Sequence, residues 1–180
     1  MKKNVITINE IIKGLETQAE SVKNPYKKRY TKELNDVIIN MLEYVDLDSM
    51  EVEPTANGFN RGTIGENLIK YHALSFLGKE VLSVNKSLAK TCDLDLRRAE
   101  KMALAELGLL PSIYEVKTLT KLANAHASNH ETKNYIILDL KKRNKVVLTS
   151  KDKLVMDNSG HVTGYTDGVV LEVLSELLGL

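Results

Sequence analysis

Ser112-Ile113-Tyr114-Glu115-Val116-Lys117-Thr118 is the stretch on which the reading of this chain turns. Pro111 closes the linker before it. Side chains along a strand alternate between two faces, so Ile113, Glu115 and Lys117 point one way and Tyr114, Val116 and Thr118 the other. One face then carries a carboxylate beside an ammonium. A carboxylate can hold a divalent cation while the lysine next to it steadies a nucleophilic water or a phosphate oxygen. The same pair also suits the polar face of a solvated edge strand, so its meaning depends on what else the chain brings to it.

Upstream lie Gly62-Thr63-Ile64-Gly65-Glu66-Asn67-Leu68 and Thr91-Cys92-Asp93-Leu94-Asp95-Leu96. Thr63-x-x-Glu66 reads as a capping box that opens a helix to about residue 77, which gives Glu66 a structural role beside any chemical one. Lys79-Glu80-Val81-Leu82-Ser83-Val84 is the first expected strand. A helix is expected over 97 to 107, with Ala99, Met102, Ala103 and Leu107 inward and Gly108 at the C′ position. Asp95 suits the N-cap of that helix, and Asp93 is then a turn residue or a ligand.

Downstream, the alanine-containing segment 121 to 130 is expected to be helical. Two apolar runs, 134 to 141 and 145 to 149, are joined by Lys142-Arg143-Asn144 and read as a strand pair. After the turn residues Asp157-Asn158-Ser159-Gly160, an amphipathic helix carrying Val169, Val170, Val173, Leu174, Leu177 and Leu178 closes the chain.

Before the core, Thr7-Ile8-Asn9-Glu10 is a capping box, and Ile8, Ile11, Ile12, Leu15 and Ala19 recur at helical spacing to about residue 22. Asn24-Pro25 is expected to break that helix, with Tyr26-Lys27-Lys28-Arg29-Tyr30 as a basic connector flanked by tyrosines. From Thr31, the stripe Leu34, Val37, Ile38, Met41, Leu42 and Val45 gives a second helix, and residues 48 to 62 are expected to form a loop. The chain divides into an N-terminal helical accessory region, 1–50, and an α/β core, 51–180. The order of helices and strands indicates a mixed α/β or α+β fold.

A glutamate on an early helix, an aspartate near a strand end and Glu-x-Lys on a strand, in that order, resemble the PD-(D/E)xK nuclease superfamily, the restriction-endonuclease-like fold. The resemblance covers roughly residues 60 to 150. It implies a restriction-endonuclease-like mixed sheet flanked by helices, with the N-terminal helices as an extension. Glu66 would be the accessory acid of the first core helix, Asp93 the central metal ligand, and Glu115 with Lys117 the signature half-motif. The implied activity is a magnesium-dependent DNA endonuclease. Oxygen ligands from Glu66, Asp93 and Glu115 suit Mg²⁺ or Mn²⁺, and Lys117 would orient the attacking water. In this superfamily the helix after Glu-x-Lys often sends polar residues toward the scissile phosphate, which nominates Asn124, His126 and Ser128. Here no proline precedes Asp93, Asp95 competes with it, and a helix fills the interval from Asp93 to Glu115.

Phosphate contacts are expected from Lys70, Lys121 and the Lys141-Lys142-Arg143 turn, each independent of base sequence. Duplex cleavage by so small a chain calls for two sites, hence a homodimer. The net charge of +1 argues against a histone-like binder while leaving room for a local basic groove. The single Cys92 excludes an intramolecular disulfide and a cysteine-based zinc site, in keeping with a reducing cytoplasm. The first residues lack the apolar core of a signal peptide, since Asn9, Glu10 and Lys13 interrupt it, and no run approaches a membrane span.

Three other readings compete. His126 and His130, four apart, would share one helix face as zinc ligands. The segment 87 to 105 can be scanned as a helix-turn-helix, which would make the chain a non-enzymatic DNA-binding protein. Finally, the Glu-x-Lys could be incidental to a structural or interaction protein.

Overall fold

The structure is a computed structural model that describes residues 4–55, 58–77, 93–121, 125–126 and 132–180. A short strand, β1 (Asn4–Thr7), leads directly into α1 (Ile8–Ser21). The hydroxyl of Thr7 accepts the Glu10 N–H at 3.2 Å, as the capping box requires. Ile8, Ile11, Leu15 and Ala19 are buried along one stripe.

The second helix, α2 (Pro25–Tyr44), begins earlier than the sequence reading expects. Asn24 does not break the chain. Its side-chain oxygen accepts the N–H groups of Tyr26 (3.0 Å) and Lys27 (3.3 Å), and Pro25 occupies the first turn, where its missing N–H costs nothing. The basic connector is therefore helical. Residues 48 to 62 are not simply a loop either: β2 (Ser49–Val52) pairs antiparallel with β1, and β3 (Pro54–Thr55) with β4 (Gly58–Phe59).

Next comes α3 (Arg61–Leu77), and after residues 78–92, which contain the expected strand at 79 to 84 and lie outside the described residues, β5 (Leu94–Asp95). The helix expected over 97 to 107 contracts to α4 (Lys101–Glu106). Met102, expected inward, is 79% exposed, whereas Leu104 and Leu107 are buried. Gly108, at φ +77°, takes the left-handed position that ends the helix.

The central strand pair is β6 (Ile113–Leu119) and β8 (Asn134–Asp139), parallel, with Glu115 opposite Tyr135 and Lys117 opposite Ile137. A parallel pair needs a crossover. Within it Ala125–His126 form a strand, β7, where a helix is expected; residues 122–124 and 127–131 lie outside the described residues. β8 turns back into β9 (Lys145–Ser150), the antiparallel pair read from the sequence. After β10 (Leu154–Met156), β11 (His161–Tyr165) and β12 (Val169–Val170), the chain ends in α5 (Glu172–Leu177), shorter than the expected helix because Val169 and Val170 join the sheet.

The main sheet has the order β12-β9-β8-β6-β5, mixed in direction, and a smaller sheet the order β10-β11-β7. The fold is mixed α+β. On one face of the main sheet, Tyr114, Val116, Ile136, Leu138 and Val146 join a core shared with α1, α2 and α3. On the other face, Leu119, Tyr135, Ile137 and Val147 meet Val162 of the smaller sheet. Glu115 and Lys117 belong by alternation to this second face. Among the described residues no helix is long and apolar enough to cross a membrane.

Candidate active site

Strand alternation sets Glu115 and Lys117 side by side, and their charged groups lie 3.7 Å apart. Glu115 is 2% exposed, so its carboxylate has lost nearly all its water. Oε2 faces Lys117, while Oε1 is buried and accepts no hydrogen bond from any described residue. Burying a carboxylate with one oxygen unsatisfied is costly, and such oxygens are rare in folded proteins. Lys117, with its side chain 16% exposed, keeps its head at the edge of solvent.

Asp93 directly precedes the neighbouring strand, β5. The register of β5 against β6 pairs Leu94 with Tyr114, and one step further the Asp93 N–H reaches the Tyr114 carbonyl at 3.1 Å. Asp93 thus stands across from Glu115 on the second face. Asp93 Oδ2 accepts the Val116 N–H at 2.8 Å. The β5–β6 register sets the two residues opposite each other, which brings the Glu115 charge to bear on the Asp93 carboxyl. Burial and the Glu115 charge push the Asp93 carboxyl above its ordinary value, against the pull of the Val116 N–H and the more distant charge of Lys70.

Asp95, the rival for this role, is engaged elsewhere. Both its oxygens are held by Arg97, at 3.0 and 2.8 Å, and it also accepts the Arg97 backbone N–H. That ion pair holds the Asp95 carboxyl below the usual range. Asp95 closes a turn and does not cap α4, whose N-cap is Glu100. Residues 93 to 100 are not helical, which removes the helix-turn-helix reading over that span; residues 87 to 92 lie outside the described residues.

Glu66 does not complete a capping box with Thr63. The N-terminal cap of α3 comes from Asn60, whose side chain accepts the Thr63 N–H at 3.3 Å, so Thr63 is already inside the helix. The Glu66 carboxylate takes the Lys70 ammonium at 2.8 Å, one turn on. Lys70, expected to meet a phosphate, keeps its side chain 30% exposed in that pair. Among the described residues no third His, Cys, Asp or Glu joins Asp93 and Glu115 in a group able to hold a metal ion.

Of the remaining candidates, Lys121 follows the end of β6, and Lys141, Lys142 and Arg143 form the β8–β9 turn. That turn is shaped by Asp139, whose Oδ1 accepts the N–H groups of Lys141 and Lys142 at 2.9 Å each. The hydroxyl of Tyr165 donates to Asp139 Oδ2 at 2.6 Å. Asn124, Ser128 and His130 lie outside the described residues. His126 lies in β7, so the shared helix face proposed for a zinc pair with His130 is absent at that end. The sequence reading missed the neighbourhood of Tyr30 and Tyr165 with the basic turn. Its trace was the basic connector flanked by tyrosines, but no local pattern could say which distant segment that connector meets.

Comparison of the chain with family models, curated proteins and solved structures finds no match.

Proposed function

We propose that this chain is a metal-dependent endonuclease that hydrolyses phosphodiester bonds in DNA, of the restriction-endonuclease-like kind. The observation that carries the reading is the Asp93–Glu115 pair: two carboxyls opposed across the β5–β6 register, one with a buried oxygen to which no described residue donates, beside Lys117. The donor set fits a hard cation. Mg²⁺ is commonly held by one or two carboxylates, its remaining positions going to water and substrate phosphate, so two acids suffice. When bound, Mg²⁺ or Mn²⁺ supplies Lewis-acid neutralisation of phosphate charge and a more acidic water.

The chain's own residues do the rest. Asp93 and Glu115 offer anionic oxygens on one side of the sheet, and the Val116 N–H fixes the aim of Asp93. Lys117 projects an ammonium to the same place, where it can hold a water for attack or compensate charge developing on the phosphate oxygens. Glu66, engaged with Lys70, is not a ligand in this proposal.

The test is cleavage of supercoiled plasmid across a Mg²⁺ and Mn²⁺ titration, run beside thermal melting. Cleavage should require the cation, and Asp93→Ala or Glu115→Ala should abolish it while the variants stay folded. Lys117→Met should slow it by roughly 10²–10³-fold, the usual cost of losing one transition-state donor. Metal-dependent cleavage persisting in both alanine variants rejects the site.

A further inference from the structure

Two hollows flank the β8–β9 turn. In the first, Tyr30 of α2 faces Lys121, Lys141 and Lys142, although these segments are far apart in sequence. The acid on its rim, Glu33, is paired with Arg29 at 3.4 Å. The second hollow lies between Lys141, Lys142, Arg143 and Tyr165. Its acid, Asp139, is taken up by the turn's own N–H groups and the Tyr165 hydroxyl. Among the described residues, none of Lys121, Lys141, Lys142 and Arg143 has a carboxylate within salt-bridge distance, and the Lys141 ammonium donates only to the neutral Thr163 carbonyl, at 2.9 Å. The turn is thus a cationic ridge between two hollows.

Cations without a carboxylate partner attract any polyanion, and the tyrosines narrow the choice. Tyr26 is 77% exposed and Tyr30 45%, and being four residues apart they share one side of α2. A duplex keeps its base faces stacked on one another and gains nothing from exposed rings. Unpaired bases stack on such rings whatever their sequence, while the backbone tracks the cations.

We infer that the β8–β9 turn and the outer side of α2 seat a single-stranded nucleic-acid segment, its phosphates on Lys121, Lys141, Lys142 and Arg143 and its bases against Tyr30 and Tyr26. The inference rests on the nuclease reading for the choice of polyanion, and it names the form of that substrate.

Fluorescence anisotropy tests it, using the full chain in metal-free buffer with a labelled mixed-sequence DNA single strand and the matching duplex. The single strand should bind about tenfold or more tightly than the duplex. Tyr30→Ala should cost single-strand affinity roughly fivefold to a hundredfold, the range for one lost base stack, and Tyr30→Phe should retain it. Replacing Lys142 and Arg143 by Gln should weaken both ligands and flatten the salt dependence by about 0.7 in log–log slope per lost single-strand contact. Equal or tighter duplex binding, an unchanged Tyr30→Ala variant, or no binding to either DNA overturns the inference. Mg²⁺-dependent plasmid cleavage without single-strand preference defeats this inference and leaves the nuclease reading intact. Single-strand preference without cleavage by the wild-type chain supports the surface and defeats the nuclease reading.

Discussion

Asp93 binds its proton more tightly in the folded chain than in the unfolded one, because burial and Glu115 both disfavour its charge. Between the ordinary aspartate value of about 3.9 and the raised folded value, the folded state holds more protons than the unfolded state. Stability therefore falls as pH rises through that window and stays reduced above it. Asp93→Asn keeps an oxygen for the Val116 N–H and removes the charge. Its melting temperature at pH 7 is expected to equal or exceed that of the wild type, the gap closing as pH falls, while cleavage is lost; a variant less stable at pH 7 than at pH 4 relative to wild type would contradict this. Lys117 works in the opposite sense, being the cation beside a carboxylate that is 2% exposed. Lys117→Met should cost about 1–3 kcal/mol by urea denaturation at neutral pH, because it strands a buried charge. Adding Glu115→Gln should recover part of that loss.

Where α3 meets the sheet, one glycine sets the distance. A Cβ on Gly65 would fall inside the envelope of Thr118 Oγ1 and lie 3.0 Å from Leu138 Cδ2. The helix can lie against β6 and β8 only because that atom is missing, and the contact holds Glu66 and Lys70 at their place beside the sheet. Alanine is the better helix former by about 1 kcal/mol, so the sign of Gly65→Ala depends on packing. It should destabilise by about 1–3 kcal/mol, the usual penalty for overpacking. Among the described residues Thr118 Oγ1 is buried without a hydrogen-bond partner, so Thr118→Ala forfeits no bond with them; combined with Gly65→Ala it should restore at least about 0.5 kcal/mol through coupling. Additive losses in that cycle would show that the two residues do not meet.

The N-terminal helices and the sheet share one core. Ile11, Leu15, Ile38 and Leu42 are packed in the same cluster as Ile64, Leu68, Val116 and Ile136. Asn35 ties the three long helices together: its Nδ2 donates to the Leu15 carbonyl at 2.8 Å and to Gln18 at 3.2 Å, and its Oδ1 accepts from Arg61 at 3.1 Å. Burial draws the Arg61 pKa downward, and its link to Asn35 compensates part of the desolvation of the guanidinium. Asn35→Leu should cost about 1–3 kcal/mol, since it leaves buried polar groups unpaired. A chain starting near residue 57 strips one whole side from this core and should lose near-ultraviolet circular dichroism and bind a hydrophobic dye. A folded, cooperative truncation would show the helices to be dispensable.

Local patterns carried much of this outcome. The Thr7 N-cap, the alternation through Glu115 and Lys117, the Gly108 stop and the β8–β9 strand pair were legible because each is decided within a few residues by backbone sterics and side-chain period. Asn24-Pro25 reads locally as a break, yet the same dipeptide serves as a stop or as an N-cap with Pro in the first turn, and only the burial of residues 31 to 42 on the core decides between them. Asp93 and Asp95 could not be told apart locally: strand pairing brings the Val116 N–H to Asp93, while Arg97 takes up Asp95. Likewise Gly65 against Thr118 and Tyr30 against the Lys141–Lys142 turn join residues dozens of positions apart. The sequence determined which residues could share a face. Tertiary packing decided which faces meet, because burial, charge and unpaired donors are settled only when the whole core closes.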